Sequence, residues 1–362
     1  MASHMVKQLV YAAFALLLLG TSGCWSGRYL AQAGAGQFRL LQQRRKIVDV
    51  LGDPAVKEQT KAALRLAVEA RDFGRRVLGL RTGDAYTRFI DLGDRPVAYN
   101  LSAAYKDKLA LKWWAFPIVG RVPYLGYFHK QDAEAEAKRL EQAGFDVHMR
   151  PVAGFSTLGY FAEPIFSSML EGPPHHIVEV VLHEMLHSTI YLPGQSAFNE
   201  SLATIVGVEG AALFFRQRGQ AEDAERLLVD AERAEERERL FGDVLAGLQD
   251  ELKRIYDADL TLPQKLEARE VAFIRAQAEY LRLLPPAPGE PPPAFARRKL
   301  NNAIVLSYGI YHSNTPRLRE LLRRLDGDLA RLVTMVKEAM DRGVDPDSYL
   351  ERKLRRRERP ID

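Results

Sequence analysis

The sequence predicts an α+β fold that is mostly helical and carries a small sheet. Apolar residues recur at spacings of three and four from residue 37 to 80 and again from 173 to 357, which is the period of amphipathic helices. Between residues 84 and 161 the composition changes to β-branched and aromatic residues punctuated by Gly and Pro, as in short strands and turns. The 362 residues are 47% hydrophobic and 27% charged, which is typical of a folded globular protein.

The N-terminal segment has the features of an export signal. Residues 1–4 resemble an expression scar, and residues 5–24 resemble a bacterial lipoprotein signal. In that signal Lys7 supplies a positive charge, residues 9–19 form an apolar stretch, and small residues precede Cys24. The cysteine of such a signal is lipidated and becomes the first residue of the mature protein. The alternative is a plain secretory signal that is cleaved nearby.

Cysteine usage and net charge exclude several classes of function. Cys24 is the only cysteine, so the mature domain can form no internal disulfide and has no thiol nucleophile. Lys and Arg total 51 against 47 Asp and Glu. The basic run over residues 352–359 accounts for this small surplus of positive charge, so the rest of the chain is close to neutral. A nucleic-acid partner is therefore not predicted. The expected location is the bacterial cell envelope, with the lipid anchor holding the protein on a membrane that faces the periplasm.

The first half of the chain predicts helices followed by the small sheet. A small-residue tether is expected over residues 25–36, and it leads into a single domain over residues 37–362. Two antiparallel helices are joined at the turn residues 52–54, and a later helix interrupts the strands and gives the sheet a crossover. The predicted helices cover residues 40–51, 56–80 and 131–143, and the predicted strands cover residues 86–92, 96–105, 114–122 and 146–155.

The second half of the chain is predicted to be almost wholly helical. Two adjoining helices are expected within residues 173–218, and helices fill most of residues 220–357. The highly charged stretch 220–239 predicts one solvated helix rather than a binding face. The Pro-rich segment 285–293 predicts a surface connector, because proline can continue neither a helix nor a central strand. The last helical blocks are expected at residues 295–311, 316–342 and 347–357.

A His-Glu-x-x-His pattern at residues 183–187 lies in an apolar run that predicts a core helix. Residues four apart lie one turn above each other on a helix, so His183 and His187 point at the same spot while Glu184 stands beside them. Zinc binds two such imidazoles and a third protein ligand, and it lowers the pKa of a water to about 7. The pattern therefore predicts one Zn²⁺ per chain with Glu184 as the catalytic base. The alternative is a pair of polar residues that share an ordinary buried hydrogen-bond site.

The third metal ligand is expected to be Glu200. A Pro-Gly pair breaks the first helix, Ser196 can cap a second one, and Glu200 follows thirteen residues after His187. Thirteen residues suffice for a tight turn and for a second helix that runs back antiparallel to the first. The alternative role of Glu200 is to complement the dipole of the second helix. Glu209 is a weaker candidate, because nine positions further on it faces the opposite side of that helix.

These motifs resemble those of known peptidases. His-Glu-x-x-His followed by Asn-Glu-x-x-Ala on the next helix is similar to the gluzincin peptidases, with Thr204 where an Asp is usual. More specifically, the chain from about Asp72 to Arg342 resembles the bacterial putative aminopeptidase family, whose members are often lipoproteins. The resemblance implies a zinc-dependent aminopeptidase that hydrolyses N-terminal residues of peptides. The segments that carry it are residues 116–120, 123–128, 155–161, 183–187 and 197–201.

The resemblance also implies two contacts with a peptide substrate. Residues 154–161, which include Gly159, should form an edge strand beside the zinc and pair with the substrate backbone. Glu163, just beyond that strand, is a candidate receptor for the free α-amine of the substrate. The alternative for residues 154–161 is an ordinary strand of the sheet, and the alternative for Glu163 is a surface glutamate.

An oxyanion donor is expected in the stretch that holds Tyr308, Tyr311 and His312. Tyr311 is the candidate, because a Tyr or His donates to the tetrahedral oxyanion in similar zinc peptidases. The alternative for Tyr311 is a packed tyrosine with a hydrogen-bonded hydroxyl. His175 and His176 precede the metal helix, and they are expected at the surface rather than on the metal.

Two rival functions stay open beside the aminopeptidase. One is a zinc endopeptidase of the cell envelope, since the residues do not identify the group that binds the substrate amine. The other is a lipid-anchored binding protein that keeps the fold without turnover. An intact His-Glu-x-x-His with an available third ligand favours an enzyme over the binding protein.

Overall fold

The computed structural model describes residues 25–81, 83–116, 120–152, 164–287, 289–308 and 315–357. It confirms the predicted class, because these residues form a mostly helical α+β fold with short strands. The N-terminal helices are α1 (Trp25–Gln42), α2 (Ile47–Gly52), α3 (Glu58–Val77) and α4 (Lys130–Gln142). The strands are β1 (Arg45–Lys46), β2 (Arg88–Ile90), β3 (Ala98–Ala104), β4 (Trp114–Phe116), β5 (Gly120–Val122), β6 (Tyr124–Tyr127), β7 (Asp146–Val152) and β8 (Ile165–Phe166). The C-terminal helices are α5 (Pro174–Thr189), α6 (Ser196–Gln217), α7 (Ala221–Asp257), α8 (Leu262–Leu283), α9 (Ala294–Arg297), α10 (Asn302–Tyr308), α11 (Thr315–Arg324), α12 (Leu329–Asp341) and α13 (Pro346–Arg357).

The tether predicted over residues 25–36 is wrong, because this stretch belongs to helix α1. Its alanines are strong helix formers, and its aromatic residues find partners in the sheet. Trp25 stacks on Tyr29, which packs against Phe116 of β4 with ring centroids 5.2 Å apart. The Tyr29 hydroxyl accepts a hydrogen bond from the backbone N–H of Gly126 at 2.9 Å. Helix α1 is therefore fixed on the sheet by side chains that a tether would leave in solvent.

The single helix predicted over residues 40–51 is also wrong. Helix α1 ends at Gln42, a two-residue strand follows, and a new helix, α2, begins at Ile47. Strand β1 forms because Arg45 and Lys46 pair antiparallel with Phe89 and Arg88. A helical period in the sequence does not reveal such a strand, since the pairing partner lies far along the chain.

Among the described residues, the strands form three small sheets rather than one. Strand β3 pairs antiparallel with β6 on one side and with β7 on the other, and β2 lies between β1 and β8. The strand predicted over residues 114–122 is a pair of antiparallel strands, in which Trp114 lies opposite Val122. Strands β6 and β8 were not predicted, because they are too short to show an alternating pattern. The predicted crossover helix is present as α4. Its Ala133 and Leu140 are buried against the sheet formed by β3, β6 and β7.

The main core surrounds helices α5 and α6. It joins buried side chains of α3, α5, α6, α11 and α12 into one cluster. The charged stretch 220–239 is the first part of α7, a helix of 37 residues. The second part of α7 buries Leu248 and Leu252 against Phe273 of α8, in a smaller cluster. The described residues between Leu283 and Ala294 form no helix or strand, as the Pro-rich composition predicted.

A buried polar network joins β7 to the C-terminal helices. The Asp146 carboxylate accepts from Arg269 of α8 at 2.8 Å and from the backbone N–H of Asn302 at 3.0 Å. The Asn302 side chain accepts from the Tyr256 hydroxyl and donates to the Tyr105 carbonyl, both at 2.8 Å. Within this network the Nε of Arg269 is buried without a hydrogen-bond partner, whereas the Asp146 carboxylate and the Asn302 amide are each bonded more than once, which lowers the cost of burying them. Over the described part of the chain, no helix is both long enough and apolar enough to cross a membrane.

Candidate metal centre

Helix α5 is fixed in the core by its apolar face and by its C-terminal end. Leu182 and Met185 are fully buried, and they fill the space left by Gly74 of α3. A Cβ at Gly74 would lie 2.7 Å from the Met185 side chain, so the two helices approach closely only because this residue is glycine. The Thr189 hydroxyl donates to the Met185 carbonyl at 2.6 Å and accepts from the backbone N–H of Arg81 at 2.8 Å. The helix that carries the two histidines is therefore held rigidly.

Helix α6 returns along α5 after a short loop, and Asn199 fixes that loop. Its side chain accepts from the backbone N–H of Leu192 at 3.1 Å and donates to the carbonyl of Leu192 at 2.9 Å. Ser196 was predicted to cap α6, but Gln195 is the N-cap residue and makes no capping hydrogen bond through its side chain. The expected cap is replaced by the Asn199 contact, which ties the first turn of α6 to the chain that leaves α5.

Two glycines of α6 let the pair of helices approach closely. A Cβ at Gly207 would lie 3.0 Å from the backbone oxygen of Glu179 and 3.3 Å from the Cβ of His183. A Cβ at Gly210 would lie 2.9 Å from the Leu182 side chain. Any larger residue at these positions would separate α6 from α5. The glycines therefore help to set the distance between the side chains that the two helices carry.

The structure brings together the three side chains that the sequence predicted as ligands. The Nε2 atoms of His183 and His187 are 3.1 Å apart. The Glu200 carboxylate lies 3.6 Å from Nε2 of His183 and 3.5 Å from Nε2 of His187. One ligand atom from each residue falls within 4.8 Å of the others. The histidine side chains are 26% and 24% exposed, so a small ion could reach all three groups from solvent.

The electrostatics of the cluster favour an ionised Glu200. Contact with His183, and next with His187, holds the pKa of the Glu200 carboxyl well below its usual range, although partial burial opposes this. The cluster thus offers one carboxylate and two imidazoles. Two ligands bound tetrahedrally at about 2.0–2.1 Å from a zinc ion are roughly 3.3 Å apart, which is close to the separations measured here. The donor types and their spacing therefore suit zinc.

Glu184 follows His183 on α5 and is half-buried. It does not belong to the group of three ligand atoms, and its role as the base stays a prediction. Glu209, the weaker ligand candidate, forms an ion pair with Arg319 of α11 and does not belong to that group. Its position on the far side of α6 agrees with the spacing argument. In the first turn of α5, His176 is exposed, whereas His175, which was also expected at the surface, is half-buried.

Several predicted residues lie outside the described part of the chain. They are Cys24, the strand 154–161 with Gly159, Glu163, Tyr311 and His312. Tyr308 is described, and it packs edge-on against Phe241 of α7 with ring centroids 5.1 Å apart. Tyr308 thus has a packing role in the smaller core.

Sequence reasoning missed three residues that shape or adjoin the centre. Asn199 was noted only as part of a motif, although an amide just before the third ligand is a signal for a loop contact. Gly207 falls seven residues after Glu200, which places it on the same face of α6 and could have indicated a close helix contact. Glu179 falls four residues before His183, on the same face of α5 as that ligand.

Comparisons with known proteins give one match. No curated protein and no solved structure matches the chain. Residues 28–345 match the profile of the family described as Putative aminopeptidase, which covers most of the chain and includes both helices of the centre. The match supports a peptidase function acting on peptide substrates. The chain therefore belongs to the family described as Putative aminopeptidase.

Proposed function

We propose that the protein is a zinc-dependent aminopeptidase, in which His183, His187 and Glu200 hold the ion. The observation that carries this proposal is the convergence of the three ligand atoms within 4.8 Å beside Glu184, in a chain of the putative aminopeptidase family. Two neutral imidazoles and one carboxylate are a common ligand set of catalytic zinc. When bound, the ion supplies Lewis acidity toward a peptide carbonyl and acidifies a water.

The residues of the chain have separate roles in this proposal. Glu184 takes the proton of the attacking water and then gives it to the leaving amine. Glu200 supplies the anionic third ligand beside the two neutral imidazoles of His183 and His187. Tyr311 is the proposed donor to the oxyanion. The strand predicted over residues 154–161, which would include Gly159, is proposed to pair with the substrate backbone, and Glu163 is one candidate for contact with the substrate amine.

The protein is also proposed to be attached to the cell envelope through a lipid on Cys24. The support is the order of charged, apolar and small residues before this cysteine. Full-length protein made in a bacterium should fractionate with membranes, and Cys24→Ser should be released or misprocessed. Mass spectrometry that finds an unmodified Cys24 in the mature chain would reject the anchor.

Metal content and peptide hydrolysis test the proposed enzyme together. The purified protein should bind about one zinc per chain, and His183→Ala, His187→Ala and Glu200→Ala should each lose it. Glu184→Gln should retain the zinc and lose turnover by several orders of magnitude, because only the base is removed. Glu171→Gln, at an exposed glutamate just before α5, serves as the matched control and should keep full activity.

The products decide between the rival functions. Trialanine should be trimmed from its free N-terminus, whereas N-acetyl-trialanine should be cut far more slowly. Equal rates on both peptides, or internal cleavage of a denatured protein, would instead identify an endopeptidase. A protein that binds zinc and peptide but hydrolyses neither substrate would be the lipid-anchored binding protein.

A further inference from the structure

Glu179 is placed on α5 beside the candidate metal centre. It precedes His183 by four residues, so the two side chains leave the helix on the same side, one turn apart. Gly207 of α6 faces both positions, since its Cβ would lie 3.0 Å from the Glu179 oxygen and 3.3 Å from the His183 Cβ. The backbones of α5 and α6 are therefore closely packed at Glu179, which fixes this turn of α5 beside the ligand-bearing turn. Glu179 therefore continues the row formed by the two histidines.

The environment of Glu179 is unusual for a carboxylate that has only a structural role. It is half-buried, and burial raises the pKa of the Glu179 carboxyl to about 7. Within the described ranges no lysine, arginine or hydrogen-bond donor lies within bonding distance of it. By contrast, two half-buried acids of α6 and α7, Glu209 and Glu235, are both paired with Arg319. A carboxylate that is removed from water without a partner is costly, and such groups are concentrated at functional sites.

We propose that Glu179 receives the N-terminal ammonium group of the substrate. This inference rests on the proposed aminopeptidase function and names the residue that makes it specific for free N-termini. The Cβ atoms of residues four apart on a helix are about 5–6 Å from each other, and one extended residue spans about 3.5 Å. A peptide whose first carbonyl lies at the three ligands thus has its free amine within reach of Glu179.

The charge of the partner follows from the charge of Glu179. An α-ammonium group supplies the cation and the donors that the carboxylate lacks, and the pair forms in a partly dry site where such bonds are strong. An acetylated end is neutral and offers a single amide N–H. Hydrogen bonds that involve a charged group correspond to a difference of about 10- to 100-fold in binding. The free peptide should be preferred by that factor.

Binding to a variant without turnover tests this role apart from catalysis. In zinc-loaded Glu184→Gln, calorimetry should show trialanine binding at least about 10-fold more tightly than N-acetyl-trialanine. Adding Glu179→Gln should abolish most of this preference, since glutamine keeps the shape and removes the charge. Glu179→Asp, which retains the charge, should recover part of it. Glu171→Gln, at an exposed glutamate before α5, should leave the preference intact.

Three outcomes would overturn the assignment of Glu179. The preference for trialanine could persist in folded Glu179→Gln, or it could disappear in Glu163→Gln and not in Glu179→Gln. Alternatively, N-acetyl-Lys-Ala-Ala could bind as tightly as trialanine, which would identify a site for a basic side chain. If Glu179→Gln does not fold, the same comparison is made with Glu179→Met, which removes the charge and leaves no buried polar group, and an unchanged preference would then contradict the proposal.

The result for wild type separates this inference from the proposed function. A wild-type protein that cuts free and acetylated peptides equally, or neither, contradicts the aminopeptidase activity itself. A wild-type protein that prefers the free peptide, together with a Glu179→Gln variant that does so equally, contradicts only the role of Glu179.

Discussion

The side-chain amide of Asn199 forms two hydrogen bonds with the backbone of Leu192, and the next residue is the candidate ligand Glu200. Asn199 is 4% exposed, so both bonds are shielded from water. The contact joins the end of the loop from α5 to the first turn of α6. The position of Glu200 relative to the two histidines therefore depends on a residue that does not itself bind the metal.

Asn199→Ala should weaken zinc binding without removing any ligand. The substitution leaves the buried N–H of Leu192 without its partner, at a cost of about 1–3 kcal/mol. The Leu192 carbonyl also loses the Asn199 bond but still accepts from the backbone N–H of Gln195 at 3.2 Å. Loss of a residue that orients a ligand typically lowers metal affinity by about 10- to 100-fold. Competition with a chelator measures that affinity.

Asn301→Ala is the matched control for Asn199→Ala. The Asn301 side chain also makes one bond as donor, to Val147, and one as acceptor, from Ile304, both at 2.9 Å and both to backbone groups. Asn301→Ala should lower stability while leaving zinc affinity unchanged. Equal zinc affinities of the two variants would contradict a role for Asn199 in positioning Glu200.

Gly207→Ala should destabilise the protein and weaken metal binding, although alanine is ordinarily the better helix former. The added methyl would lie 3.0 Å from the Glu179 backbone oxygen, which cannot move without shifting α5. Gly242→Ala in α7 is the control, because a Cβ there meets nothing within 4 Å. That variant should gain about 0.5–1 kcal/mol from helix propensity alone. Urea unfolding that shows a gain in both variants would exclude a close helix contact at Gly207.

The sequence was sufficient for the fold class and for the meeting of His183, His187 and Glu200. The helical period fixes the direction of residues four apart, and the Pro-Gly pair requires a turn before Glu200. Both signals are local, so no knowledge of the tertiary structure was needed. The core position of α5 followed from its apolar neighbours in the same way.

The sequence was not sufficient where a partner lies far along the chain. Helix α1 was predicted as a tether because its small residues give no indication that Tyr29 contacts Phe116 of β4. The strand at Arg45 and Lys46 exists only because β2 pairs with it. Likewise, an acid four residues before His183 becomes notable only when burial and the lack of a neighbouring cation are known. Tertiary contacts decide these features, and local propensity does not.

Acid should destabilise the protein in part through His148 of β7. This residue is 8% exposed, and burial, followed by the nearby Arg298 and Arg150, lowers the pKa of its imidazole from 6.5 to about 4. Between these two values the unfolded chain binds a proton at this position and the folded chain does not. The contribution of His148 is thus full above pH 6.5 and falls by up to about 3 kcal/mol as the pH drops to 4.

Urea unfolding across pH 4–7 measures this dependence. His148→Gln should have a shallower loss of unfolding free energy with acid than wild type, because glutamine does not titrate. His176→Gln, at an exposed histidine of α5, should follow the wild-type curve. Parallel curves for wild type and His148→Gln would show that the imidazole is not held neutral by burial.

Arg269→Met should be strongly destabilising, because the Arg269 guanidinium is the only cation within ion-pair distance of Asp146 among the described residues. Both side chains are less than a tenth exposed, so the substitution leaves a buried carboxylate that still accepts from the backbone of Asn302 but has lost its countercharge. Removing one partner of a buried pair typically costs about 3–5 kcal/mol. Urea unfolding of the metal-free protein measures the loss.

Two further variants separate the buried charge from the lost side chain. Arg282→Met removes an arginine whose partner Glu279 is exposed, and a surface pair of this kind is worth at most about 0.5–1 kcal/mol. In the double variant with Asp146→Asn and Arg269→Met, the amide remains able to accept from Asn302 and no charge is buried. The double variant should therefore be more stable than Arg269→Met alone. If Arg269→Met and Arg282→Met lose the same free energy of unfolding, the network does not hold the sheet to the C-terminal helices through its ion pair.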